Sequence, residues 1–343
     1  MRKAEKIVLK TDAYEPFIDF LKGVCIVLVI LNHCLPSNIE YYSFFSLWGK
    51  SAVPLFLLIQ VFHAYKKGLL RANFNFHKIY KRIILPFLIV ELVLLVFRLI
   101  TLAAKITSLQ SLSDHLIKIL KCGGIGSGSY YPWIYVQFAI LIPLFVPILK
   151  KTGHIGIALF FILLSQAVEF FCSIINMPEW IYRLLCIRYV FIIYLGYLLT
   201  TKGFSINKKT MVLTILSLIS ILFFNYINAD LSPLFYMSVY KWRTCHWICY
   251  FFYAFLLVVI YKFYNKTSSS GTFNSFMLKI GKYSYEIFLF QMCYFEFHGL
   301  FLQGLRVFIE KECIISSMGI IFAIIICTVP VVLYKDWRLS RKL

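Results

Sequence analysis

Apolar residues along this chain fall into long runs separated by polar connections, without the strict alternation that is typical of β-strands. A helix that crosses a membrane needs about 20 mainly apolar residues, and ten runs of the sequence approach that length. We therefore predict an all-α membrane protein with about ten transmembrane helices. The predicted spans are Phe17–Leu35, Leu47–Tyr65, Ile83–Ala103, Trp133–Leu149, Ile155–Ser173, Leu184–Thr200, Met211–Ile227, Cys245–Tyr261, Tyr283–Leu302 and Ile314–Tyr334.

Basic residues concentrate in both terminal tails and in alternate connections between these runs. If the chain crosses the membrane ten times, 23 of the 35 Lys and Arg residues lie on one side. Because membrane proteins hold Lys and Arg preferentially in their cytoplasmic segments, this distribution predicts that both termini are cytoplasmic. The connections at the other ends of the spans are poorer in basic residues and are predicted to lie outside.

The composition agrees with a membrane protein and argues against several other classes. Hydrophobic residues make up 61% of the chain and charged residues 15%, against roughly 45–50% and about 25% in soluble domains. The net charge of +20 would by itself suggest nucleic-acid binding, but its alternation with the spans explains it without that partner.

The ten cysteines sit mostly in apolar runs and show no zinc-ligand spacing, so we expect no metal site. No internal repeat is visible along the chain. Residues 1–343 are therefore predicted to form one integral-membrane domain, with no appended soluble domain.

Ionisable residues inside a span are costly, and each is a candidate functional residue. In the first span, Asp19 and Lys22 are three residues apart and share a helix face near the predicted cytoplasmic end. His33 follows Lys22 by 11 residues, which is close to three helical turns, so it projects from the same face about 16 Å higher. Position alone is also compatible with an interfacial Asp19–Lys22 pair and a histidine at the far membrane surface.

The same span resembles the first-helix motif of acyltransferase family 3, whose members are integral-membrane O-acyltransferases of surface polysaccharides and related glycans. The motif reads Asp-x-Leu-Lys-Gly at residues 19–23, followed by a helix that ends in Asn32-His33. In the family pattern a basic residue precedes the histidine at this spacing, and Arg is commoner there than the Lys22 of this chain.

Further segments resemble the family's motifs in the same order along the chain. Three of them depart from the pattern. The Ser-Gly that usually follows the second-helix motif is missing after Val53–Leu57. Lys78, Lys81 and Arg82 replace the usual Arg-x-x-Arg, and Gln291 stands where the late motif usually continues to a histidine. The resembling segments are Val53–Leu57, residues 77–86, Tyr131–Tyr135, Arg188–Tyr197 and Gly281–Leu289.

The resemblance implies transfer of an acyl group from an acyl-CoA, with acetyl-CoA as the expected donor, to a hydroxyl group. Such chemistry needs a base for the hydroxyl and cations for the donor phosphates. His33 is the expected general base or transient acyl carrier, and Lys22, Asp19 and Glu91 are further catalytic candidates. Glu91 is expected either to orient His33 or to pair with Arg98, which lies on the same helix face.

Four basic residues, Lys22, Lys78, Lys81 and Arg82, are expected to bind acyl-CoA on the cytoplasmic side. For the last three, membrane orientation is an alternative explanation, because basic residues flank cytoplasmic helix ends anyway. Since His33 is predicted near the outer surface, either the pantetheine arm reaches about 16 Å along the first helix or an acyl group is relayed.

The acceptor is expected to contact Trp133, Tyr130, Arg188, Glu286 and Gln291. Aromatic rings stack on sugars, but they are also enriched at membrane interfaces. An interfacial belt is therefore the alternative for Trp133 and Tyr130, and a buried interhelical hydrogen bond is the alternative for Glu286.

Together these features predict a multi-pass O-acetyltransferase of the bacterial cytoplasmic membrane. Its expected partners are the lipid bilayer, an acyl-CoA and a polysaccharide or glycolipid acceptor on the outer side. The alternative is a transporter or flippase for a glycan or lipid-linked sugar. The lack of internal repeats and of matching broken helices favours the enzyme, while Gln291 and the altered basic motif leave a non-catalytic family member as a third alternative.

Overall fold

A computed structural model describes residues 16–35, 48–66, 76–102, 109–151, 154–201, 207–226, 246–266, 271–307, 309 and 311–341. The regular secondary structure in these ranges is all helical, which confirms the predicted class. The basic N-terminal tail and the basic segment 67–75 lie outside the described residues. The cytoplasmic location of the termini therefore stays a prediction.

Each predicted span overlaps a helix of the structure, although the ends differ by several residues and the span Leu184–Thr200 also includes a short 3-10 turn, Cys186–Tyr189. In chain order the described helices are α1 (Pro16–Cys34), α2 (Ala52–Lys66), α3 (Leu85–Leu102), α4 (Leu109–Cys122), α5 (Tyr131–Lys151), α6 (His154–Ile174), α7 (Glu179–Leu184), α8 (Phe191–Thr201), α9 (Lys208–Tyr226), α10 (Tyr250–Lys266), α11 (Thr272–Lys282), α12 (Ser284–Arg306) and α13 (Glu312–Ser340). A short helical turn, Phe76–Ile79, and a π-helical stretch, Tyr80–Ile84, lead into α3.

Within the described ranges, six helical segments are long and apolar enough to cross a membrane, namely α1, α3 with the turns before it, α5, α6, α10 and α13. The chain is therefore a multi-pass membrane protein. The total of ten crossings stays a prediction, because the remaining predicted spans correspond to shorter or more polar helices.

Three described helices, α4, α7 and α11, were not among the predicted elements. They are short, and polar residues fill a large part of each one. A search for spans overlooks such segments, although in α4 Leu109, Leu112, Leu116 and Ile119 recur at helical spacing.

Several helices begin at a proline in the first turn, where its missing N–H leaves no hydrogen bond unmade. Pro16 is the first residue of α1, and Pro54 and Pro132 lie in the first turns of α2 and α5. These prolines favour the starts of three of the helices that surround the site.

Helix α1 lies at the centre of the fold and contacts α2, α10, α11, α12 and α13. It also contributes to two separate apolar cores. Phe17, Leu21 and Cys25 belong to a core with α2, α5, α6, α8 and α10. Phe20, Ile26 and Ile30 belong to a second core with α3, α11, α12 and α13.

Helices α1 and α11 cross at two glycines. A Cβ atom placed on Gly281 would lie 1.6 Å from the carbonyl oxygen of Asp19, and one on Gly23 would lie 3.3 Å from the Gly281 nitrogen. The backbones can therefore approach this closely only because both residues lack a side chain. Both glycines belong to motifs by which the sequence resembles acyltransferase family 3.

The periphery of the bundle exposes large apolar side chains. On α3, Leu92 and Ile100 are 61% and 69% exposed, and on α6 Ile155 and Leu163 are 79% and 67% exposed. A soluble protein rarely exposes so continuous an apolar surface, so these helices present it to lipid.

A candidate active site where two cavities meet

His33 lies in the last turn of α1 and lines two cavities. Its imidazole packs edge-on against Phe295 of α12, with ring centroids 5.5 Å apart. Because the side chain lines both cavities, the histidine is placed to act on a bound ligand.

The first cavity, which we call the inner cavity, has a volume of about 690 Å³ and extends from His33 toward Lys22. Its basic lining residues are Lys22, Lys81, Arg82 and Lys282. Asp19 binds Lys22 at 3.0 Å, which confirms the predicted pair. The inner cavity thus joins a cluster of cations to His33 along one face of α1.

The π-helical stretch Tyr80–Ile84 carries Lys81 and Arg82 to this cavity. A π-helical turn shifts the direction of the side chains relative to an α-helix and is frequent at functional sites. Tyr285 of α12 secures the stretch by donating a 2.6 Å hydrogen bond to the carbonyl of Ile83. The two cations are therefore held against α12.

Glu286 also lines the inner cavity and forms an ion pair with Lys335 of α13 at 2.5 Å. The adjacent Asp336 binds Lys279 at 2.7 Å and accepts a hydrogen bond from Tyr283. These contacts tie the end of α13 to the connection between α11 and α12. That connection forms part of the wall of the inner cavity.

The second cavity, which we call the outer cavity, has a volume of about 730 Å³ and extends from His33 in the other direction. Its lining combines residues of α1, α3, α4, α7 and α12 with the glycine-rich connection 123–129. Besides His33, the charged residues and histidines of this lining are Lys50, Arg98, His115, Lys118, Glu179, Arg183 and Glu296.

Five residues line both cavities, and they surround the point at which the two meet: Val29, His33, Val53, Gly128 and Tyr130. Gly128 has φ +89°, and a Cβ atom there would lie 3.1 Å from the Phe288 ring and 3.9 Å from His33 Nε2. Glycine therefore both permits this backbone conformation and leaves space beside the imidazole.

Asn32 lines the outer cavity next to His33. Its Oδ1 atom is buried and has no hydrogen-bond partner among the described residues. A buried polar atom without a partner is costly, so this position suits a ligand that donates a hydrogen bond.

The glycine-rich connection is held by two of the residues singled out from the sequence. The Glu91 carboxylate accepts a 2.7 Å hydrogen bond from the Ile125 N–H, and the Trp133 indole donates one of 2.7 Å to the Gly123 carbonyl. Both side chains line a separate, mainly apolar pocket and neither of the two cavities at His33. Their geometry supports a role in positioning the glycine-rich connection.

Replacing Glu91 with alanine should destabilise this connection, because Ile125 N–H loses a charged acceptor worth about 1–3 kcal/mol. Trp133→Phe removes the second contact while keeping an aromatic ring. Thermal unfolding of both single variants and the double variant measures the coupling. If Glu91→Ala leaves unfolding unchanged, the connection does not depend on this carboxylate.

The structure brings together part of the predicted site and separates the rest. Lys22, Lys81, Arg82 and Glu286 line the inner cavity, and Tyr130 lines both cavities. Lys78 lines neither cavity although it lies on the turn before the π-helical stretch.

The expected pairing of Glu91 with Arg98 is wrong. Arg98 instead forms a bidentate ion pair with Glu296 of α12, with nitrogen–oxygen distances of 2.9 and 3.0 Å. Glu91 accepts its hydrogen bond from Ile125 and lines neither cavity at His33, so the structure does not support an orienting role toward the imidazole.

Arg188 and Gln291 are buried and line neither cavity. Arg188 donates a 2.6 Å hydrogen bond to the Tyr182 carbonyl and packs over the rings of Tyr189 and Tyr130. Gln291 is fully buried in α12, and neither polar atom of its amide has a partner within the described part of the chain. Direct contact with a ligand in either cavity is not supported for these two residues.

Several lining residues were not selected from the sequence as site residues. Lys118 and His115 come from α4, Lys282 ends α11, and Lys50 precedes α2. The helical periodicity of α4 was the available signal for the first two. For Lys50 and Lys282 the sequence offered only a basic residue near a helix end.

A family model for an acyltransferase domain, that of acyltransferase family 3, matches residues 15–336. Because the match covers nearly the whole chain, the chain belongs to this family, and the resemblance seen in its motifs is confirmed. Comparison with curated proteins and with solved structures gives no match. The protein is therefore a membrane acyltransferase whose cavities meet at a histidine of the family's first-helix motif.

Proposed function

We propose that this member of acyltransferase family 3 transfers an acetyl group from acetyl-CoA to a hydroxyl group of a glycan on the outer side of the bacterial cytoplasmic membrane. One observation carries the proposal: His33 lines both the inner and the outer cavity. A donor in one cavity and an acceptor in the other can therefore reach the same imidazole.

The inner cavity supports the donor assignment. Its cations suit the phosphates of coenzyme A, since ionised donors bind phosphate oxygens strongly. From Lys22 to His33 the helix rises about 16 Å, which an extended pantetheine arm can span. Only that narrow arm has to enter the cavity, while the nucleotide remains at the cluster of cations.

The chemistry needs a base next to the acceptor hydroxyl. His33 accepts the hydroxyl proton while the acceptor oxygen forms a bond to the thioester carbonyl carbon. The tetrahedral intermediate then loses the coenzyme A sulfur as the carbon–sulfur bond breaks, and the imidazolium returns the proton to that sulfur. The products are the acetyl ester and free coenzyme A. Since both cavities reach the ring, direct transfer requires no relay of the acetyl group.

The decisive experiment uses purified protein in lipid nanodiscs with radiolabelled acetyl-CoA and the host's surface glycan. We expect label in the glycan and release of one equivalent of coenzyme A thiol per acetyl transferred. An acetylated His33, trapped without acceptor and found by mass spectrometry, would replace direct transfer by an acyl-enzyme route. Glycan movement across liposomes without any acetyl transfer would refute the enzyme and favour a transporter.

Replacing Arg82 with glutamine should raise the KM for acetyl-CoA by about two- to fivefold and leave kcat unchanged, because an exposed charge contact contributes about 0.2–1 kcal/mol. The difference should shrink at high salt, which screens exposed charges. The matched control is Lys209→Gln, an exposed residue of α9 that lines neither cavity. Equal KM values in the two variants would contradict a donor site at the π-helical stretch.

A further inference from the structure

The lining of the outer cavity carries more positive than negative charge. Arg98 and Glu296 neutralise each other in their bidentate pair. Of the remaining lining residues Lys50, Lys118 and Arg183 are basic, and Glu179 is acidic. Positive charge on the predicted outer side is the reverse of what membrane orientation requires, so topology does not account for it.

Arg183 is the most firmly positioned of these cations, because the residues on both sides of it are held. The Tyr182 hydroxyl donates a 2.7 Å hydrogen bond to Glu169. On the other side, Gln137 donates a 2.7 Å hydrogen bond to the Leu184 carbonyl and accepts one from the Cys186 N–H. The short helix α7 is thereby fixed against α5 and α6, and the Arg183 backbone with it.

The Arg183 side chain has an aromatic support but no carboxylate partner among the described residues. Its guanidinium carbon lies 5.2 Å from the centroid of the Tyr130 ring. Its Nε atom is buried and has no hydrogen-bond partner in the described part of the chain. A planar guanidinium with unused donors matches the two oxygens of a carboxylate or phosphate.

We propose that the acceptor is anionic: a sugar that carries a carboxylate or phosphate group close to the hydroxyl that is acylated, with Arg183 binding that group. The inference rests on the proposed function for the identity of the reaction, and it adds the chemical class of the acceptor. Tyr130 packs against the guanidinium, and Arg183, Tyr130 and His33 line the same cavity, so an anion bound at Arg183 shares the cavity with the base. Lys118 of α4, a helix that contacts α7, adds positive charge to the same cavity.

The test measures binding without any donor, using purified full-chain protein in nanodiscs and saturation-transfer-difference NMR. The probes are glucuronic acid, glucose 1-phosphate and glucose, which share a ring and differ in charge. We expect one or both anions to bind at least about tenfold more tightly than glucose, as a hydrogen-bonded charge pair allows. The preferred anion identifies the carboxylate or the phosphate as the recognised group.

Arg183→Gln should lower the affinity for the preferred anion to that for glucose, and Arg183→Lys should retain part of the preference. The matched control, Arg338→Gln, changes an exposed arginine near the end of α13 that lines neither cavity. It should bind like the parent protein. Circular dichroism and melting temperature confirm that the variants are folded.

Three results would overturn the inference. They are no preference for either anion over glucose, including no binding of any probe; an unchanged preference in Arg183→Gln; and loss of coenzyme A binding in Arg183→Gln, which would place the donor phosphates in the outer cavity. A different result would refute the proposed function and leave this inference intact. If acetyl-CoA neither binds nor turns over while the anions still bind through Arg183, the charge preference stands and the acetyl transfer does not.

Discussion

Replacing His33 with glutamine is expected to lower the rate of acetyl transfer by about 10²–10⁴-fold, the range that a positioned general base contributes. Glutamine has a similar reach but cannot take up the hydroxyl proton. It therefore removes the proposed chemistry while filling most of the space beside Gly128 and Phe295. Binding of acetyl-CoA in the inner cavity should change little, because the proposed donor contacts are Lys22, Lys81 and Arg82, which line that cavity.

The measurement is initial-rate transfer of label at saturating donor, together with the Kd for acetyl-CoA. His77→Gln is the matched control, since His77 is exposed before the π-helical stretch and lines neither cavity. Unfolding curves for all three proteins show whether a loss of rate comes from a loss of fold. A folded His33→Gln protein with the parent's rate would remove the imidazole from the mechanism.

Gly281→Ala is expected to produce the largest loss of stability among the single substitutions considered. The new Cβ would lie 1.6 Å from the Asp19 carbonyl oxygen and 2.9 Å from the Gly23 nitrogen, both of which are backbone atoms. Helices α1 and α11 would have to separate, and overpacking of this kind costs about 1–3 kcal/mol or more. The melting temperature should fall by several degrees.

Transfer activity should fall with it, because α1 carries Asp19, Lys22 and His33. Gly299→Ala is the matched control: it lies in α12, where the added Cβ would meet no packed neighbour within 4 Å among the described residues. Alanine is a better helix former than glycine, so this control should melt at or above the parent temperature. Equal melting temperatures for the two variants would contradict the close helix crossing.

Among the polar candidates, the sequence and the structure agree best within α1. Asp19, Lys22 and His33 share a face because their spacing matches helical turns, and this relation depends only on local geometry. The Asp19–Lys22 ion pair at 3.0 Å follows from the same spacing. The resemblance to the family's motifs indicated acyl transfer, and the family match along residues 15–336 confirmed that the chain belongs to the family.

Agreement is weaker where a side chain's partner comes from a distant segment. Glu91 and Arg98 were placed on one face of α3 correctly, yet each finds its partner elsewhere, on the glycine-rich connection and on α12. Trp133 was expected at the acceptor and instead holds the same connection. Helical spacing says which residues share a face but not which segment packs against that face.

The sequence by itself determined the helical class, the position of the predicted spans and the alignment of Lys22 with His33. These depend on the length of apolar runs and on the rise of a helix, and both are local properties. Only the tertiary structure decided that two cavities meet at His33. It also decided that Arg183 and Lys118 line the outer cavity and that Lys282 lines the inner cavity. Those residues come from segments far apart in the chain, and packing of side chains across helices alone brings them together.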